Sequence, residues 1–124
     1  MLNRYSAKLT FWYDDGQDRS LAVCEERIVT FDARGSKEAM KVAKRSGKQS
    51  EYKFGNESGK TIAFRFVGIM DILQLGIECQ EGEVWYDVSK KKLSRVKASV
   101  LSDDQMLSQL ETGNGVRTAR IEKE

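Results

Sequence analysis

The chain has 124 residues, of which 40% are hydrophobic and 32% charged, a composition typical of a single globular domain. Its 21 basic and 19 acidic residues leave a net charge of only +2, so the composition requires no polyanionic partner. The sequence contains no histidine, which removes the usual general base near neutral pH and the commonest metal ligand. We therefore expect no enzymatic activity, no bound metal and no cofactor.

The beginning of the chain is predicted to form two antiparallel strands. Residues 5–13 alternate between apolar and polar side chains, which is the period of a half-buried strand. Residues 14–18 have the composition of a turn, because their Asp-Gly pair favours the positive φ that tight hairpins need. A second strand is predicted over residues 19–31, although its apolar phase is uneven at Glu25 and Glu26. We expect either a bulge at that point or a departure of the strand from the core.

A short amphipathic helix is predicted next, from Ser36 to Gly47. The hydroxyl of Ser36 is expected to accept a hydrogen bond from the first-turn amides, and Gly47 to end the helix in the left-handed conformation. Between them lies a narrow stripe of small apolar residues, which predicts close packing on a sheet. Much of the remaining helix surface is basic: Lys41, Lys44, Arg45 and Lys48.

Three more strands are predicted over residues 50–54, 61–75 and 83–88. The first two are joined by a glycine-rich turn at residues 55–59. The long second strand is expected to present one apolar face: Ile62, Phe64, Phe66, Met70 and Ile72. The last strand is expected to point these residues inward: Val84, Tyr86 and Val88. The order β-β-α-β-β-β predicts an α+β fold, an antiparallel sheet with one helix packed on a face.

The chain changes character after Ser89. A basic run follows, formed by Lys90, Lys91, Lys92, Arg95 and Lys97. Residues 102–105 then have the pattern of a capping box and predict a second short helix that ends near Glu111. We assign residues 1–93 to the sheet domain and residues 94–124 to a C-terminal helical extension with a loose charged tail.

Several short blocks occur in an order that is similar to a known family. They are Tyr5–Leu9, Glu25–Val29, the helix from Ser36, Asn56–Lys60 and Arg65–Asp71. Together they resemble the pattern of the family catalogued as domain of unknown function 4288, over roughly residues 3–90. The resemblance implies a small bacterial α+β domain with no established activity, and it supplies no catalytic residues to transfer.

Two features that can mark an enzyme, a phosphate-loop-like motif and a pair of cysteines, are interpreted here as parts of the fold and not as catalytic groups. The motif from Gly55 to Thr61 is one residue shorter than a phosphate-binding loop and precedes a strand pattern, so we interpret it as a hairpin turn. Cys24 and Cys79 are interpreted as reduced, partly buried thiols, and a single disulfide between them stays open.

An inward-pointing charge is predicted where the phase of the second strand slips. Glu25 or Glu26, together with Arg27, is expected to lie in a structural ion pair, for which Arg65 is one candidate partner. Catalysis by these carboxylates is the weaker alternative, because adjacent strand residues point to opposite faces.

The candidate functional residues are the aromatic and basic side chains that break the strand pattern. Trp12, Arg65 and Trp85 are predicted to share the sheet face that the helix leaves open, with Lys8 in the same row as Trp12. Tryptophan and arginine are enriched at the energetic centres of protein interfaces. We therefore predict a protein-binding domain, in concrete form an immunity or antitoxin-like inhibitor or an adaptor. Alternatively, the C-terminal extension covers this face through Leu101, Met106, Leu107 and Leu110, or a homodimer forms there.

Nucleic-acid binding is the alternative function. The four basic helix residues, together with Lys90, Lys91, Lys92 and Arg95, are candidates to contact phosphates, and an exposed tryptophan to stack on bases. No apolar run approaches the ~18 residues of a membrane span, so we expect no membrane partner and a cytoplasmic location.

Overall fold

The computed structural model describes residues 2–18, 20–75 and 85–111, and for residues 85–87 the backbone alone. Within these residues the strands are β1 (Asn3–Asp14), β2 (Ala22–Ala33), β3 (Tyr52–Gly55), β4 (Thr61–Gln74) and β5 (Trp85–Lys91). The helices are α1 (Ser36–Gln49), α2 (Leu93–Ala98) and α3 (Asp103–Glu111). All strand pairs are antiparallel, and the strand order is β3-β4-β1-β2-β5. The predicted α+β class and element order are thus confirmed.

The alternation in β1 separates the two faces of the sheet. Tyr5, Ala7, Leu9 and Phe11 point to what we call the first face, where they are buried beneath α1 and α3. The intervening residues, among them Lys8 and Trp12, point to the second face. Here a smaller apolar cluster forms around Ala22, Cys24 and Val96, the last of which belongs to α2. The strong alternation predicted for this strand is therefore the feature that orients the whole sheet.

Two irregularities in the pairing of β1 with β4 change which β4 residues enter the core. Register shifts occur between Lys8 and Leu9 and between Thr10 and Phe11. Each shift adds one residue to β4, so its first-face residues follow a spacing of three: Phe66, Ile69 and Ile72. Met70 consequently packs in the second-face cluster, together with Val67. The prediction that Met70 shares a face with Phe64 and Ile72 is wrong for this reason.

The β2 strand contains no register shift at the place where one was expected. Its pairing with β1 runs continuously from Cys24 to Ala33, and Phe11 is paired with Glu25. The uneven phase instead reflects a buried carboxylate, because Glu25 is only 7% exposed and points to the first face. The expected bulge is therefore wrong, whereas the predicted inward-pointing charge in an ion pair is confirmed.

Both predicted ends of α1 differ from the structure. The Ser36 side chain makes no capping hydrogen bond, because the N-cap position is Gly35. Gly47 lies inside the helix, which continues to Gln49, and among the described glycines only Gly16 and Gly59 have positive φ. A Cβ atom at Gly47 would clash with the Phe66 ring. The glycine therefore permits close helix–sheet contact and does not end the helix.

The residues after β5 wrap around one edge of the sheet. We call residues 93–111 the strap. Its first helix, α2, lies on the second face, and Val100 then crosses closely over Gly68 of β4. The amide of Leu101 donates a 2.8 Å hydrogen bond to the Ile69 carbonyl at the edge of β4. The chain then reaches the first face, where α3 packs beside α1.

The strap therefore contacts both faces of the sheet. Its apolar residues do not all lie on the second face. Met106 and Leu110 are buried in the first-face core, and Leu101 and Leu107 pack against it. The expectation that these four residues cover the second face is wrong. That face is covered in part by Leu93 and Val96 of α2, a helix that the basic composition of the segment did not suggest.

The turns behave largely as their residues predicted. Gly16 and Gly59 both adopt positive φ, and the capping box of α3 forms through reciprocal hydrogen bonds between Ser102 and Gln105. Thr61 begins β4 and not a helix, which confirms the hairpin interpretation of the preceding glycine-rich motif. The prediction for Val88 is wrong, because it is 49% exposed on an edge strand. Val84 and Tyr86 lie outside the described side chains.

Among the described helices, none combines the length and the apolar character that a membrane crossing requires.

Candidate functional site

A groove of about 870 Å³ lies on the second face, between the sheet and α2. Strands β1, β2 and β4 supply Lys8, Glu26 and Asp71, while the chain from the end of β5 into α2 supplies the opposite wall. We call this depression the basic groove. Its apolar lining consists of Leu21, Met70 and Val96. Val96 is buried in the second-face cluster and anchors α2 on the sheet, so that α2 forms one side of the groove.

The charge of the basic groove is strongly unbalanced. Five cationic side chains line it, namely Lys8, Lys90, Lys91, Lys92 and Arg95, against the two carboxylates Glu26 and Asp71, an excess of three positive charges. Both carboxylates are engaged within the protein. Glu26 accepts a 3.2 Å contact from Lys91, and Asp71 accepts hydrogen bonds from Gln109 and from the Ile72 amide. Within the described residues, the remaining four cations have no ion-pair partner. The described lining of the groove is therefore positively charged and complementary to an anionic group.

The register of the strands places three of the predicted partner-binding residues on the second face. Trp12 is paired with Arg65 across β1 and β4, and Lys8 precedes Trp12 by four positions in the same row. They do not share one depression. Lys8 lines the basic groove, whereas Trp12 lines a second hollow of about 520 Å³ beside the β1–β2 turn, together with Leu93.

Trp12 and Arg65 both have structural partners. The Trp12 side chain is half-buried and packs against the second-face cluster. Arg65 is exposed and donates a 2.7 Å hydrogen bond from Nε to Asp14 Oδ2. That hydrogen bond lowers the pKa of the Asp14 carboxyl below its usual value. Arg65 lines neither the basic groove nor the hollow beside Trp12. The fourth predicted residue, Trp85, has its side chain outside the described part of the chain.

The two basic segments predicted to bind nucleic acid lie on opposite sides of the sheet. Lys41, Lys44, Arg45 and Lys48 are exposed on α1, which packs on the first face, whereas Lys90–Lys92 and Arg95 line the basic groove on the second. Lys44 also forms a 2.6 Å ion pair with Asp103 of α3. The structure does not join the two segments into one basic track.

A partly buried polar network lies on the first face, beyond the helices. Glu25 accepts a 2.9 Å hydrogen bond from the Tyr13 hydroxyl and a short one from Nε of Arg27, so its partner is not Arg65. The Arg27 guanidinium also lies 5.1 Å from the centres of the Phe11 and Phe64 rings. Burial, with the hydrogen bond to Glu25, raises the pKa of Tyr13 to about 12. These mutual contacts make the network a structural element of the aromatic core.

The described residues hold no group of three or more side chains suited to a metal ion. Cys24 is a free, buried thiol whose pKa is raised by burial, so it is poorly suited to act as a nucleophile. Cys79, the other residue of the disulfide left open by the sequence, lies outside the described residues.

Comparison with known proteins gives one result. The profile of the family described as "Domain of unknown function (DUF4288)" matches residues 4–85, more than half of the chain. The chain belongs to the DUF4288 family. No curated protein and no solved structure matches the chain.

The DUF4288 match divides the basic groove between two parts of the chain. Lys8, Glu26 and Asp71 lie within the matched residues, whereas Lys90–Lys92 and Arg95 follow them. The groove is thus assembled from the residues that match the family and from the residues that follow them, at the end of β5 and in the strap. Sequence reasoning placed Lys8 and Lys90–Lys92 in rival hypotheses. No local sequence pattern links Lys8 to Lys90–Lys92, because they come together only through the path of the chain over the second face.

Proposed function

We propose that this DUF4288 protein is a non-enzymatic protein-binding domain that contacts its partner through the second face of the sheet. The basic groove supports the proposal, because it combines four cations that have no ion-pair partner among the described residues with an exposed apolar side chain, Leu21. Such a mixture of charged and apolar groups is the composition of a recognition surface.

In concrete form we propose an immunity or antitoxin-like inhibitor, or an adaptor, of bacterial origin and cytoplasmic location. The support is an analogy with small α+β domains that act by binding, since fold and size alone do not determine function. The buried free thiol of Cys24 fits a reducing compartment.

Affinity capture from the native host tests this proposal. The bait is the full chain, with and without nuclease treatment, beside a second-face variant carrying Lys8→Ala and Arg65→Ala. A matched variant carries Lys41→Ala and Lys48→Ala on α1, where both side chains are exposed on the other side of the sheet. We expect a nuclease-resistant protein partner that the α1 variant retains and the second-face variant loses by about tenfold or more.

Two results would contradict the proposal. Equal recovery of the partner by both variants would remove the second face as the contact surface. Material that disappears on nuclease treatment would instead favour nucleic-acid binding. Circular dichroism of each variant checks that the fold is intact, since neither substitution removes a fully buried side chain.

A further inference from the structure

We infer that the ligand of the basic groove is an acidic peptide segment with interspersed apolar side chains, presented by a protein partner. This inference rests on the proposed function and names the chemistry of what is recognised. Lys8 is half-buried on the floor of the groove, whereas Lys90, Lys92 and Arg95 are exposed along its wall. Cations arranged in this way lose little solvation and gain an attractive contact when carboxylates approach them.

The two carboxylates of the groove offset only two of its five cations. Glu26 is paired with Lys91, and Asp71 holds the amide of Gln109, whose Nε2 also donates to the Ile72 carbonyl at 2.8 Å. Their partners hold both carboxylates in place on the sheet. The free charge of the groove is therefore positive and complementary to an anionic ligand.

Three features favour a peptide over a nucleic acid. Leu21, Met70 and Val96 provide apolar contacts that suit side chains and not phosphates. No aromatic side chain is among the described residues that line the groove, so these residues offer no stacking surface for a base. The two fixed carboxylates would also repel a continuous phosphate backbone, whereas a peptide can place its acidic residues beside the cations alone.

A synthetic peptide tests the inference directly. The probe is a fluorescent peptide of about 12 residues, an extended length suited to a surface groove, in which Glu alternates irregularly with Leu, Ala and Ser. Its control has every Glu replaced by Gln. Fluorescence anisotropy measures the binding of both to the full chain, beside a single-stranded oligothymidine of similar length.

The protein variants are matched in charge. The groove variant carries Lys90→Glu, Lys92→Glu and Arg95→Glu, and the control variant carries Lys41→Glu, Arg45→Glu and Lys48→Glu on α1; all six side chains are exposed. We expect saturable binding of the acidic peptide that falls about tenfold or more in the groove variant and in about 0.5 M salt, with a much smaller change in the control variant.

Several outcomes would overturn the inference: equal binding of the Gln peptide, equal loss in both variants, tighter binding of the oligothymidine, or no saturation at about 1 mM peptide. The two proposals fail separately. If the groove variant still captures the native partner while the Lys8→Ala, Arg65→Ala variant does not, the second face binds protein but the ligand is not an acidic segment. If the unmodified full chain captures no protein, the proposed function itself fails.

Discussion

On the first face, α1 and α3 pack on one large core that contains the rings of Tyr5, Phe11 and Phe64, whereas the one described helix on the second face is the six-residue α2. The first face contains little charge, and its buried carboxylate Glu25 is held by Tyr13 and Arg27. The second face keeps a basic groove beside α2. In the described part of the chain, apolar burial is concentrated on the first face, which we expect to supply most of the stability, while the proposed recognition surface lies on the second face.

The largest expected effect compares a core residue of each face. Phe11→Ala removes a fully buried ring from the first face and should lower the free energy of unfolding by about 3–5 kcal/mol. Met70→Ala removes a half-buried side chain from the second face and should cost only about 1–2 kcal/mol. Urea unfolding followed by circular dichroism measures both. Equal losses would show that the two clusters contribute equally, which contradicts the division of roles.

The next largest loss of stability is expected where the strap crosses over β4. A Cβ atom at Gly68 would lie 2.5 Å from Cγ1 of Val100, so Gly68→Ala should destabilise the fold by about 1–3 kcal/mol and loosen the strap. Gly55→Ala is the control, since its Cβ atom would meet only the Lys60 carbonyl oxygen, at 3.9 Å. Thermal unfolding measures the loss of stability, and limited proteolysis measures the loosening of the strap. Adding Val100→Ala should restore part of the loss, and a failure to do so would exclude this contact as the cause.

Much of this contrast was accessible from the sequence, because strand alternation is a local property. The alternation of β1 predicted that Phe11 and Trp12 lie on opposite faces, and the capping box predicted the start of α3. The uneven phase at Glu25 also marked a buried charge correctly, although its partner is Arg27, two residues away on the same face.

The remaining features depend on contacts between distant parts of the chain. The two bulges that move Met70 to the second face exist only in the pairing of β4 with β1. Gly47 has the sequence signature of a helix terminus, but the approach of Phe66 determines its role. The basic groove likewise requires the strap to cross the second face. Composition shows that the cations exist but not that Lys8 lies beside Lys90–Lys92.

Alkaline titration tests the polar network of the first face. Because the pKa of Tyr13 is raised to about 12 in the folded protein, the unfolded chain loses this proton first, near pH 10. The stability that the neutral hydroxyl contributes is therefore complete below pH about 10 and is lost as the pH rises towards about 12. The near-ultraviolet absorbance of tyrosinate should show a late-titrating component that Tyr13→Phe removes. A Tyr13 that titrates with an ordinary pKa would contradict the burial of this network.

The smallest effect concerns the ion pair of Lys44 in α1 with Asp103 in α3. Its atoms lie 2.6 Å apart, but the two side chains are 47% and 62% exposed, so solvent screens their attraction. A double-mutant cycle with Lys44→Ala and Asp103→Ala should give a coupling of about 0.3–1 kcal/mol that decreases with salt. By contrast, Leu110→Ala in the same helix should cost about 2–3 kcal/mol, because Leu110 is buried in the first-face core. A coupling larger than the effect of Leu110→Ala would mean that charge, and not apolar burial, holds the end of the strap to the first face.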